Sequence, residues 1–237
     1  MRSLFIALLS FIVLSTVSAQ QVVQDPNAQV RSVSAFHAIR VSTGIHLYLS
    51  QGSEQKVVVS SNDIKYRDRI KTEVKDGVLH IYYDHVGTGW EIGRKELNAY
   101  VSFSQLDDLR ASSGAQVKVD GALKSTNLAI DLSSGAGFNG RVEAGALKMD
   151  GSSGSRAMIS GTAASLKAEA SSGSSIHGYD LQVDKCSVDV SSGARIDITV
   201  QKEMIASADS GGHISYQGSG VITDVHTGSG GRVSRNK

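Results

Sequence analysis

Four acids recur at one place in a repeating sequence and are the first candidates for chemistry. Asp131, Asp150, Glu169 and Asp189 each stand four residues before a glycine. Facing outward from stacked strands, their carboxylates would form a stripe with steps of about 5 Å. Such a stripe offers clustered oxygen ligands to a divalent cation or a docking partner. It also offers two carboxylates, for example Asp131 and Asp150, for acid–base work on a polysaccharide. The plainer reading is a solvated face that keeps the protein soluble, partly balanced by Arg156 and Arg195. Trp90, beside Gly89 in a polar stretch, is the candidate contact aromatic. Exposed aromatics anchor partners and sugars; the alternative is that it folds back as a cap.

Other chemistry is expected to be absent. Gly135-Ala136-Gly137-Phe138-Asn139-Gly140 matches G-x-G-x-x-G, but a dinucleotide site needs that turn to open a helix. Here Gly135 keeps the register of a repeat. His80 and His85, beside Asp84, form the only local histidine cluster, and without a further close ligand they are not read as a metal site. Asp107-Asp108 reads as a loop acid pair. Cys186 is the single cysteine, so no internal disulfide forms, and its place in an apolar column makes it a small buried hydrophobe. No cofactor, metal or catalytic residue is assigned. With 24 basic and 23 acidic residues, no nucleic-acid partner is expected.

The elements that position these residues follow from the repeat. Seven Ser-Gly pairs, Ser113-Gly114, Ser134-Gly135, Ser153-Gly154, Ser172-Gly173, Ser192-Gly193, Ser210-Gly211 and Ser229-Gly230, recur every 18 to 21 residues. Apolar columns stand at odd offsets from the glycine. Seven places before it come Asp107, Leu128, Leu147, Leu166, Cys186, Met204 and Thr223. Five before it come Leu109, Ile130, Met149, Ala168, Val188, Ala206 and Val225, and three after it Val117, Phe138, Ala157, Ile176, Ile196, Ile214 and Val233. Period-two alternation marks strands with one buried face. Two such strands meeting at a glycine corner every ~19 residues make the coils of an all-β solenoid, a parallel β-helix-like fold. Glycine supplies the positive φ of a sharp corner. If alternation runs through the bend, each paired serine points inward and its hydroxyl bonds a corner backbone group.

The ends set the compartment. Arg2, the apolar run Leu4 to Leu14 and Val17-Ser18-Ala19 read as a signal peptide over residues 1–19, cleaved after Ala19. Gln20 at the new terminus is not a lipid-anchor cysteine, and no later stretch reaches the ~20 apolar residues of a membrane helix. Residues 20–35 read as a flexible mature N-terminus. Residues 36–105 are an N-terminal β region forming the first coils or a cap. It contains a small-residue-plus-glycine step at Thr43-Gly44 and a hairpin at Asp76-Gly77. Residues 106–234 are the Ser-Gly solenoid and 235–237 a tail.

Several of these features resemble one family. Phe36-x-x-Ile39, Gly44-Ile45-x-Leu47, Gln51-Gly52 and Gly77-Val78-Leu79-x-Ile81 are similar to the opening of the bacterial head GIN domain, a family also named a putative autotransporter adhesin. Leu106 to Ala115, the Ser-Gly steps and Ser210-Gly211-Gly212-x-Ile214-x-Tyr216-x-Gly218 resemble its second half. The resemblance runs from about Phe36 to Val233. It implies a right-handed β-helix-like domain in the periplasm or at the cell surface of a bacterium, and it brings no catalytic residues. A self-transporting adhesin needs a C-terminal membrane barrel, and the chain stops at Arg235-Asn236-Lys237 straight after the last repeat, so self-translocation is not expected. The leading expectation is a non-enzymatic envelope protein binding a glycan, an envelope polymer or a protein through a solenoid face. The alternatives are a polysaccharide-acting enzyme and a self-assembling envelope scaffold.

Overall fold

The structure, a computed structural model, describes Asp25, residues 27–85 and residues 95–236. It is a β-solenoid whose coils have two faces. The chain comes up an inbound strand, passes a two-residue turn, leaves along an outbound strand and rounds a softer corner into the next coil. Gln116–Leu132, Gly137–Gly151, Arg156–Ala170, Ser175–Val190 and Arg195–Ala208 each run unbroken from one turn to the next. Neighbours pair in parallel, so each column of the repeat becomes a row across the sheet.

Each Ser-Gly pair occupies the apex of a turn. The serines have φ of 40° to 52° and the glycines 70° to 80°, the two positive values of a type I′ turn. The turn is closed by a bond such as Ala136 N donating to Ser133 O at 3.0 Å. Successive turns are stitched by the glycine amides: Gly114 donates to Ser134 O, Gly135 to Ser153 O and Gly154 to Ser172 O, each at 3.0 Å. Thr43-Gly44, with φ of 64° and 69°, is a further turn of the same kind, and Gly44 N donates to Ser113 O at 2.9 Å.

The expected inward serine is overturned. All seven paired serines are exposed. Parity is kept on both sides of the turn, and residues three before and one after the glycine are the ones that face inward. At the apex itself the chain lies outside the core, and two successive left-handed residues leave both Cα positions on the rim. The inward small residue is instead the one after the glycine, as with Ala115, Ala136 and Ala194, none more than 1% exposed. Where that residue is serine its hydroxyl is buried, and Ser174 Oγ donates to Gly151 O at 2.9 Å.

The apolar columns fill the interior. Leu128, Leu147, Leu166, Cys186 and Met204 are buried, as are Val117, Phe138, Ala157, Ile176, Ile196 and Ile214. Each large member contributes about 2 kcal/mol by leaving water. The columns fail at the C-terminal end, where Thr223 is exposed and Val225 is 47% exposed, because no full coil covers them there. Asp107 is exposed although coils flank it on both sides, and Leu106 is the buried residue beside it.

The N-terminal region supplies both coils and cap, in an order the chain does not follow. Ala38–Val41 and His46–Gln51 stack directly on Asp108–Ala111 and Gln116–Leu132. The later strands Val78–Tyr83 and Leu97–Phe103 lie on the far side of that coil. Antiparallel strands close the end: Lys56–Ser61 on Leu97–Phe103, Gln29–Arg31 on Lys56–Ser61, and Ile70–Lys75 on Val78–Tyr83. A one-turn helix, Ile64–Arg67, is capped by Asp63, which accepts from Lys65 N. Antiparallel covering of this kind shields a sheet edge from further pairing.

Candidate functional site

The inbound face brings the four acids together. Asp131, Asp150, Glu169 and Asp189 are register partners in four adjacent strands. Two of them are paired with cations on their own strands. Lys148 Nζ meets Asp150 Oδ2 at 2.7 Å and Lys167 Nζ meets Glu169 Oε1 at 2.8 Å. The Lys167 hydrogen bond holds the Glu169 carboxyl below its ordinary range. The expectation that Arg156 and Arg195 balance the stripe is corrected: both stand just after a turn, on the outbound face. Among the described residues no three His, Cys, Asp or Glu side chains converge as metal ligands.

The same row continues toward the cap with the opposite charge. His80, Arg40, Arg110 and Asp131 are successive register partners. Arg110 is gripped by Asp108 through Nε–Oδ1 and Nη2–Oδ2 contacts of 3.1 Å each. Arg40 has no ion pair among the described residues. Beside this row, under the turns, lies an open recess of about 340 Å³ lined also by Ser42, Ser112, Ser133 and Tyr82.

The outbound face carries a second recess of about 310 Å³. Gln116 folds over Gly137, which has no side chain of its own, and the recess is bounded by His46, Gln116, Lys118, Asn139, Arg156 and Met158. Tyr48 lines it and stacks on Tyr100, with ring centroids 5.0 Å apart and planes at 13°.

Further along the outbound face is a polar network. Asp197, with a side chain 5% exposed, accepts from Arg195 Nε at 2.9 Å and pairs with His177 Nδ1 at 2.9 Å. Tyr179 OH donates to Ser215 Oγ at 2.7 Å and Thr199 Oγ1 donates to Tyr179 O at 2.6 Å. The burial has a local cause. Between Gly178 and Gln182 the register against Arg195–Ala208 slips by an inserted stretch, and Tyr179 folds over the outward residues of the next two strands. The grouping is not a catalytic triad. His177 and Ser215 flank Asp197 in strands two apart, about 10 Å, so the imidazole cannot reach that hydroxyl.

The remaining sequence candidates separate. His85 stands edge-on to Tyr83, Asp84 faces Lys71 at 4.0 Å, and His80 joins the Arg40 row. Asp107 pairs with His37 at 3.0 Å while Asp108 holds Arg110. Trp90 and residues 1–19, the expected signal peptide, lie outside the described residues. Cys186 is buried, and burial pushes its thiol up to about 12. The native protein should therefore resist iodoacetamide at pH 8, and labelling should appear only with unfolding. Rapid labelling of folded protein would contradict this burial. The unfolded thiol ionises near 9 and the native one near 12. Stability carried by this group is therefore present below pH 9 and lost as pH rises toward 12.

Sequence reasoning missed Arg40 and the Asp197 network. Arg40 stands four residues before Gly44, in the column of the acids. Counting Thr43-Gly44 as a repeat turn would have placed it in their row. Nothing in the local pattern marks Tyr179 as a lid.

A capped β-solenoid with two open, charged faces is the class of molecule these features define. The chain belongs to the family described as "Putative auto-transporter adhesin, head GIN domain", which matches residues 35–220. Solved structures share the fold. A putative adhesin from Bacteroides fragilis superposes with a TM-score of 0.76 at 15% identity, covering 88% of this chain and 96% of that one. A putative adhesin from Parabacteroides merdae gives 0.70 at 16% identity, with 89% and 96% covered. A putative lipid binding protein from Parabacteroides distasonis gives 0.68 at 17% identity, with 90% and 98% covered. No protein of curated function matches the sequence. No helix among the described residues is long and apolar enough to cross a membrane.

Proposed function

We propose that the protein is a non-enzymatic, adhesin-like binding module of the bacterial cell envelope, exported by a signal peptide cleaved after Ala19, that holds its ligand on a solenoid face. The carrying observation is the in-register charged row of the inbound face, fixed by stacked coils. Rigid elements present side chains at set spacing more accurately than loops do. Family membership supports an adhesin-like role, and the pairing of Asp150 with Lys148 and of Glu169 with Lys167 favours a recognition surface over a pair of free catalytic carboxylates.

The test is binding of purified residues 20–237 to an array of glycans and envelope polymers, with release of reducing ends assayed on the same preparation. Saturable binding without turnover is expected. Release of new reducing ends would replace this reading with a polysaccharide-cleaving enzyme.

A further inference from the structure

We infer that the recess between the cap and the first Ser-Gly coils is a site for the carboxylate-bearing sugar of an acidic polysaccharide, an inference that rests on the binding role proposed above. Three basic side chains, His80, Arg40 and Arg110, stand on adjacent strands at one register. Arg40 and Arg110 are like charges placed directly across neighbouring strands, which oppose each other, and a fold without use for them gains nothing from this arrangement. Asp108 answers Arg110 through two 3.1 Å contacts. Arg40, between Arg110 and His80, is exposed and has no ion pair among the described residues. Its planar fork suits a carboxylate in two-point contact.

The rest of the lining selects the class of molecule that carries the carboxylate. Ser42 and Ser112, half-buried at the foot of the turns, offer hydroxyls on one side. Asp131 closes the row on the other side, at the register position next to Arg110. Phosphate, sulfate or a peptide carboxylate brings no ring hydroxyls to Asp131 and leaves that acid without a donor. A sugar acid places its carboxylate on Arg40 and donates ring hydroxyls to Asp131, so both charges of the recess are used. The volume of about 340 Å³ is at the small end for ligand pockets. It suits one sugar of a chain that continues over the open face.

The experiment measures affinity of the full mature chain for polygalacturonate oligomers, with dextran, poly-glutamate and dextran sulfate as comparison probes. Polygalacturonate is expected to bind and to weaken as salt is raised. Arg40→Gln should weaken it about tenfold, the scale of a lost charge-assisted hydrogen bond. Arg40→Lys, which keeps charge and loses the fork, should fall between. Asp131→Asn should weaken polygalacturonate and strengthen dextran sulfate. Unchanged melting temperatures would show that these variants remain folded. Poly-glutamate or dextran sulfate binding as well as polygalacturonate would overturn the sugar-acid assignment. Polygalacturonate binding untouched by Arg40→Gln but abolished by Lys118→Gln, on the opposite face, would move the site and leave the binding function standing. If wild-type protein binds none of the glycans on the wider array either, the proposed function falls with the site.

Discussion

Gly161→Ala is expected to remove about 4 kcal/mol of stability, the sum of a glycine-only backbone conformation and a forced overlap. Gly161 has φ of 113°, and a Cβ there would stand 2.0 Å from Val142 O. That oxygen belongs to the backbone of the neighbouring coil, so relief requires moving a strand. The soft corner lacks the marker that makes the Ser-Gly turns conspicuous, yet at Gly161 the backbone of the neighbouring coil leaves no room for a side chain. Gly154→Ala makes the contrast. It has φ of 71° and nothing within 4 Å of the added carbon, so only the left-handed penalty of about 1 kcal/mol applies. Urea melts of the two variants decide the matter. Equal losses would show that backbone conformation alone, and not close approach of the coils, controls these glycines.

The second large effect depends on position along the solenoid. Ile196, Ile214 and Val233 occupy one inward column in three successive coils. Ile196 and Ile214 are fully buried, whereas Val233 is half-buried. Ile196→Ala should cost about 3 kcal/mol, transfer and cavity together, and Val233→Ala less than about 1 kcal/mol. In a stack where each coil touches only its neighbours, a mid-stack cavity weakens two interfaces and an end substitution at most one. Thermal melts would test the gradient. A loss at Val233 as large as that at Ile196 would mean that the last coil is covered by something beyond these contacts.

Much of the candidate surface follows from arithmetic on the sequence. Once the turns are in register, Asp131, Asp150, Glu169 and Asp189 must be neighbours, because residues at one offset in a parallel stack share a row. What such counting does not supply is the set of partners. Lys148 and Lys167 answer the acids from two residues away on the same strand, whereas Arg156 and Arg195, nearer to the turn in sequence, emerge on the other face. The turn separates the faces, and a cation just beyond it is carried away from the stripe.

The sequence by itself determined the period, the inward columns, the Asp76-Gly77 hairpin and the family. These rest on local rules: alternation fixes which side chains face the core, and two left-handed residues in a row fix a corner. Only the tertiary structure decided the order of the first coils, with Val78–Tyr83 and Leu97–Phe103 outside Ala38–Val41 and His46–Gln51. It also decided that the paired serines face water, that Tyr179 lids Asp197, and that Arg40 stands between His80 and Arg110. The serines face water for a local reason, the left-handed conformation of both turn residues, which alternation along a strand does not reveal. The other three depend on which strand lies beside which, and strand neighbours are set by the packing of the whole stack rather than by the short-range pattern along any one strand.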